Sequence, residues 1–144
     1  MQKDWERAEP AFARAVKLEP RNFDAQYGHA VSLQMMKKFI DAVRAYHRAL
    51  TINPDDVGAN MNIATTYLQI GRPKSALVFA EHAVKVDGGV APAQITLAAT
   101  YQLLGRPQDA LNAYIAATEV MDEPSPQLMK NIIYLLTQEK RYQE

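Results

Sequence analysis

The chain has 144 residues, no cysteine, and 16 basic side chains against 16 acidic ones. That length suits one domain or a few small repeats sharing a core, and 48% apolar residues are enough for packing and too many for a disordered chain. Zero net charge with no block of like charges removes the electrostatic footprint of a nucleic-acid binder, and the missing thiols remove disulfides, thiolate metal sites and a cysteine nucleophile, while leaving both cytoplasm and periplasm open as compartments.

The opening MQKDWERAEP has no apolar h-region, so no signal peptide is expected there. Residues 1–22 read as one helix in which Trp5, Phe12, Ala15 and Val16 want a partner on one side, the second half of a hairpin without its first. Residues 23–56 read as a full hairpin: a first helix through Ala30 and Leu33, a stop at Lys37–Lys38, and a second helix from Phe39 that ends at Asn53–Pro54, where proline forbids continuation. In residues 57–90, Met61, Ala64, Tyr67, Leu68 and Ile70 follow helical spacing. Gly71 then supplies a permissive stop, Pro73 suits a first turn, and Ala76, Leu77, Phe79, Ala80, Ala83 and Val84 define a second helix ending near Gly88–Gly89. Residues 91–124 repeat this plan with Gly105 as stop and Pro107 as start. Residues 125–144 read as a first helix followed by the start of another, with Ile132, Ile133, Leu135 and Leu136 wanting a partner; aligning Tyr142 with Phe39 requires one extra residue near Asp122–Pro126. The uncharged stretch Gly88–Gly105 is too polar to span a bilayer, so no direct membrane insertion is expected.

These units share a period. LQIGRPKSAL at 68–77 lies beside QLLGRPQDAL at 102–111, an offset of 34 that also carries Ala64 to Ala98, Thr66 to Thr100, Tyr67 to Tyr101 and Ala83 to Ala117. Stepping back reaches Ala30, Leu33, Ala42 and Ala49, and then Ala8, Phe12 and Ala15. Ala30, Ala64 and Ala98 fall where the helices of a hairpin cross, and Ala42, Ala76 and Ala110 fall on the opposing helix. Small side chains there permit close approach, while Tyr46, Tyr67, Tyr101 and Tyr114 fill the space alongside.

The pattern Ala64, Tyr67, Gly71, Ala76, Ala83, with its counterparts Ala98, Tyr101, Gly105, Ala110, Tyr114, Ala117 and Ala30, Leu33, Phe39, Ala42, Tyr46, Ala49, Pro54, resembles the tetratricopeptide repeat family across essentially the whole chain. The resemblance implies an all-α fold, a right-handed α-solenoid of stacked helix-turn-helix repeats whose first helices line a concave groove. The units are then a half repeat (1–22), full repeats at 23–56, 57–90 and 91–124, and a partial repeat at 125–144. Gln26, Asn60 and Gln94 depart from the family pattern, which has a large apolar residue, often Trp, at that place. Solenoids normally end in polar capping helices, and neither end has that character.

If Ala30, Leu33, Ala64, Tyr67, Ala98 and Tyr101 pack inward, the groove face carries Tyr27, Val31, Gln34 and Met35, then Met61, Asn62, Thr65, Leu68 and Gln69, then Ile95, Thr96, Ala99, Gln102 and Leu103. Val57–Gly71 and Gly88–Gly105 contain no charged residue, whereas a helix with a wet side usually carries Lys or Glu. Some members of the family hold acidic C-termini with groove cations. Here Tyr27, Met61, Ile95, Val31, Thr65 and Ala99 stand at the corresponding places, and a carboxylate would lack charge-assisted partners. Asn62 resembles the groove asparagine that in some members bonds a peptide backbone. The expected ligand is a protein segment, extended or an amphipathic helix, with apolar anchors.

No catalytic constellation is visible, and no cofactor or metal is expected. His29, His47 and His82 form no i, i+4 pair, and His29 reads as a satisfied structural histidine. Ser32, Ser75 and Ser125 lie in no nucleophile motif, and GRPKSA and GRPQDA lack the glycine spacing of a phosphate loop. The expected function is a non-catalytic interaction scaffold. The unfinished ends suggest two alternatives: a regulatory or substrate-presenting segment of a larger enzyme such as a glycosyltransferase, or a homo-oligomeric assembly protein joined through its end helices.

Overall fold

The computed structural model describes residues 2–143, and side chains from Asp4 to Lys140. Met1 and Glu144, which bound the first and last repeat ranges, and the side chain of Tyr142 lie outside the described residues. Among the described residues eight helices follow one another: α1 (Gln2–Leu18), α2 (Phe23–Met35), α3 (Phe39–Ile52), α4 (Val57–Gln69), α5 (Pro73–Val86), α6 (Ala91–Leu103), α7 (Pro107–Glu119) and α8 (Pro126–Gln143). Helices α2, α4 and α6 begin 34 residues apart, and α8 begins 35 after α6.

Local chemistry sets these boundaries. Asn22 and Asp56 accept the amides of Ala25 and Ala59 at 3.1 and 2.9 Å and so cap α2 and α4. Pro73 and Pro107 open α5 and α7, where a missing N–H costs nothing. Each hairpin turn places one residue in left-handed backbone, Lys37 at φ 63°, Gly71 at 74° and Gly105 at 71°. The amide two positions past each first helix's C-cap, on Lys38, Arg72 and Arg106, then returns to the carbonyl of Leu33, Tyr67 or Tyr101 at 2.8 to 2.9 Å. Lys37 takes the glycine's backbone role at a steric cost that glycine avoids.

The six crossing alanines, Ala30, Ala64, Ala98, Ala42, Ala76 and Ala110, are all completely buried. Tyr46 and Tyr114 are buried beside them, whereas Tyr67 and Tyr101, expected to pack inward, are only half-buried. Tyr67 instead stacks on Phe79 at 5.9 Å, with the His47 ring edge-on to both, and this trio joins the two halves of the core.

Gln26, Asn60 and Gln94 turn out to share a task. Each is buried, and each side-chain amide donates to a carbonyl six residues earlier, Pro20, Pro54 or Gly88, at 2.9, 3.0 and 3.1 Å. The departure from a large apolar residue thus ties down the loop between hairpins. Ser32, Thr66 and Thr100 form a second polar series, buried and bonded to the carbonyl four residues back.

Each second helix packs on the next first helix. Neighbouring first helices also approach closely, α2 with α4 and α4 with α6, while the second helices α3, α5 and α7 stand farther apart, with the His47 ring of α3 reaching Phe79 of α5. The stack therefore bends with the first helices on the inner radius. One expectation fails: the C-terminal segment is a single helix to Gln143, with no second helix starting in it. The run QEKR at 138–141, where a hairpin turn would fall, consists of good helix formers with no Gly or Pro, so α8 continues.

Candidate functional site

None of the residues expected to face the groove is buried. Tyr27, Val31 and Gln34 are half-buried on α2, with Met35 exposed at its end. On α4, Met61, Asn62, Thr65 and Leu68 are half-buried and Gln69 is exposed; on α6, Ile95, Thr96, Ala99 and Gln102 are half-buried and Leu103 is exposed. Val31, Leu68 and Ile95 also lean on the core with part of their surface, which fixes their direction.

Polar groups on this face are cross-linked between repeats. Asn62 donates to the Tyr27 hydroxyl at 2.8 Å, and Gln34 donates to Gln69 Oε1 at 3.0 Å, each bond joining one first helix to the next. From beneath, the Tyr46 hydroxyl donates to Gln34 Oε1 and the Tyr114 hydroxyl to Gln102 Oε1, both at 2.6 Å. Burial raises the pKa of the Tyr27, Tyr46, Tyr101 and Tyr114 hydroxyls, with the Asp56 charge adding to the rise at Tyr27, the Tyr27 hydroxyl adding at Tyr46 and Glu81 adding at Tyr101. The hydroxyls stay neutral and available as donors at physiological pH.

The middle repeat breaks this scheme. Leu68 stands where Gln34 and Gln102 stand in the flanking repeats, and Ala80 where Tyr46 and Tyr114 stand. Leu68 therefore lies, by repeat position, between two Tyr–Gln pairs, and Met61 and Ile95 are likewise half-buried apolar residues of α4 and α6. The sequence carries the signal for those pairs only at twice the repeat spacing, so a search at 34 residues misses them.

The histidines tie helices together. His29 Nε2 lies 3.0 Å from Glu9 of α1, and His82 Nε2 lies 2.8 Å from Asp55. His29 is not the fully satisfied residue that its place suggests, because its buried Nδ1 has no partner. His47 Nε2 lies 2.9 Å from the Tyr67 hydroxyl, and burial lowers its pKa below the ordinary 6.5. The sign follows from that direction. The stabilisation is full above the unfolded value near 6.5 and is lost as pH falls through the depressed folded value, because the unfolded chain binds the proton first. An NMR titration of the His47 ring is expected to give a midpoint below 6.5; a midpoint above it would contradict this environment. Among the described residues no three His, Asp or Glu side chains converge as metal ligands, and no helix is long and apolar enough to cross a membrane.

Family models described as tetratricopeptide repeat match residues 33–85, 2–34 and 96–118. No curated protein matches the sequence. Among solved structures, the fold matches a crystal structure of MamA with a TM-score of 0.87 at 16% identity, covering 96% of this chain and 80% of that one. A second MamA structure gives 0.76 at 17%, covering 82% of this chain, which spans 64% of its length. YrrB, described as a TPR protein with an unusual peptide-binding site, gives 0.81 at 20%, covering 96% of this chain and 71% of that one. At these identities the likeness is one of fold.

Proposed function

The chain belongs to the tetratricopeptide repeat family, and we propose that it is a non-catalytic scaffold that holds a polypeptide segment, extended or helical, in its concave groove. The full repeats of that scaffold are 23–56, 57–90 and 91–124. The observation that supports the reading is the absence of charge from Val57–Gly71 and Gly88–Gly105, with Met61, Leu68 and Ile95 left half-buried and read here as an apolar window beside the Tyr46–Gln34 and Tyr114–Gln102 pairs. Apolar anchors of a ligand fit the window, and methionine there adapts to their shape. The flanking amides offer donors and acceptors to a ligand backbone. The peptide-binding description of YrrB, a protein of the same fold, supports the reading.

The test is capture of partners by the chain, identified by mass spectrometry, and repeated with Met61→Glu/Ile95→Glu. Two carboxylates desolvated against apolar anchors are expected to weaken binding at least about tenfold while circular dichroism stays helical. Unchanged capture by the double variant would remove the groove assignment.

A further inference from the structure

Where a second helix meets the next first helix, the later repeats place apolar side chains on both sides. Val43 of α3 and Ile63 of α4 belong to one apolar cluster, and Leu77 of α5 and Leu97 of α6 belong to the next. The corresponding places in α1 and α2, 34 residues earlier, hold Glu9 and His29. His29 Nε2 lies 3.0 Å from Glu9 Oε1, with the two side chains only 14% and 22% exposed. A carboxylate only accepts, so Nε2 carries the proton. A polar pair this deep gives less stability than packed apolar residues of like volume, and the buried His29 Nδ1 without a partner adds to the cost. An interface that gives up the core pairing of its neighbours is expected to use the place for something else.

Beside this pair opens a cavity of about 300 Å³, with His29 and Leu33 of α2 at its floor and Glu9 of α1 and the first turns of α3 as its walls. Lys38, at the N-cap of α3, lines it together with Arg44 and Arg48, and all three are exposed. The arginines stand four apart on one helix face, where like charges repel. Their counterparts in the later repeats are Val78 and Asn112 for Arg44, and His82 and Ala116 for Arg48, so the arginine pair occurs in this repeat alone. The charges around the cavity do not cancel. Glu9 is engaged by His29, and Asp41 lies 3.9 Å from Arg44 Nη1, too far for a hydrogen bond. Among the described residues neither Lys38 nor Arg48 has a carboxylate partner. Arg48 Nε donates instead to the neutral Gln26 Oε1 at 3.2 Å, which steadies the guanidinium and leaves its terminal nitrogens uncommitted.

We propose that this cavity binds a phosphate monoester, with the phosphoryl group on Lys38, Arg44 and Arg48 and a small organic part over Leu33. A phosphoryl group brings nearly two negative charges at neutral pH and three acceptor oxygens. Two unpaired cations and a loosely paired third answer that charge, whereas a carboxylate would leave one of them unanswered. Guanidinium groups match the geometry of such an oxyanion, and its binding relieves the repulsion between Arg44 and Arg48. The cavity shares no residue with the peptide groove, so the two proposals stand apart. It also does not depend on what precedes α1. A helix ahead of α1 would stand to the cleft between α1 and α3 as α2 stands to the cleft between α3 and α5, and α2 does not come close to α5.

Calorimetric titration of the 144-residue chain with glycerol 3-phosphate, at constant ionic strength, tests the soluble source of such a group. Co-sedimentation with phosphatidylcholine vesicles carrying phosphatidic acid tests the other source, a lipid headgroup. Saturable binding in one arm is expected and identifies the source. Arg44→Gln, at an exposed position beside only an exposed carboxylate, should keep the helical circular dichroism and weaken that binding about tenfold, the worth of one charge-assisted hydrogen bond. Lys85→Gln, which removes an exposed cation from α5, should leave it unchanged. Absence of saturable binding in both arms overturns the proposal. So do equal losses in Arg44→Gln and Lys85→Gln, which would reduce the effect to general attraction of anions by surface charge.

Discussion

Replacing Tyr46 by alanine lowers the stability of the array by about 3–5 kcal/mol, in the range measured for removing a large buried aromatic side chain. Tyr46 is completely buried. Its ring lies 6.1 Å from that of Tyr27 in an edge-on arrangement, and its hydroxyl donates to Gln34. The truncation therefore opens a cavity between α2 and α3 and also frees Gln34, which bonds onward to Gln69 of α4. Tyr46→Phe keeps the ring and loses the hydroxyl bond, so it should cost only about 1 kcal/mol. Urea denaturation separates the two variants, and hydrogen exchange locates the loss. Because each repeat contacts only its neighbours, protection should fall in α2 to α4 and hold in α7. An alanine variant within 1 kcal/mol of wild type would mean that the site collapses around the gap.

The Tyr46 case also shows what a repeat conceals. Small residues at helix crossings recur in every unit because close approach leaves no alternative, and Ala30, Ala64 and Ala98 were legible for that reason. The stops at Lys37, Gly71 and Gly105 were equally legible, since a turn of one geometry falls at one place in each hairpin. Tyr46–Gln34 and Tyr114–Gln102 skip the middle repeat, where Ala80 and Leu68 stand, so no single-unit comparison finds them. The neutral character of the first helices was readable from charge alone, but the two Tyr–Gln hydrogen bonds on either side of Leu68 required side-chain positions. Alignment of Tyr142 with Phe39 suggested a new helix near the C-terminus. Helix propensity, with no breaker in QEKR, decides otherwise.

Asn60→Leu is expected to cost about 2–3 kcal/mol, although leucine matches the apolar character that the family favours at this place. The side-chain amide of Asn60 donates to the carbonyls of Pro54 and Asp56 at 3.0 and 2.9 Å. Each bond contributes about 1 kcal/mol net, and an acceptor left partly shielded from water without a partner adds a smaller desolvation cost. Asn60 is itself buried, although the Pro54 loop that it holds is exposed. Leucine fills the volume and leaves the Pro54 carbonyl unpaired. Asn60→Gln tests the mechanism, because Gln26 and Gln94 perform the same task in the flanking repeats with one more methylene. Thermal or urea denaturation should show Asn60→Gln recovering most of what Asn60→Leu loses. Equal losses in both variants would mean that side-chain volume, and not the bond to the loop, governs this position, and the reading of Gln26 and Gln94 as loop ties would fall with it.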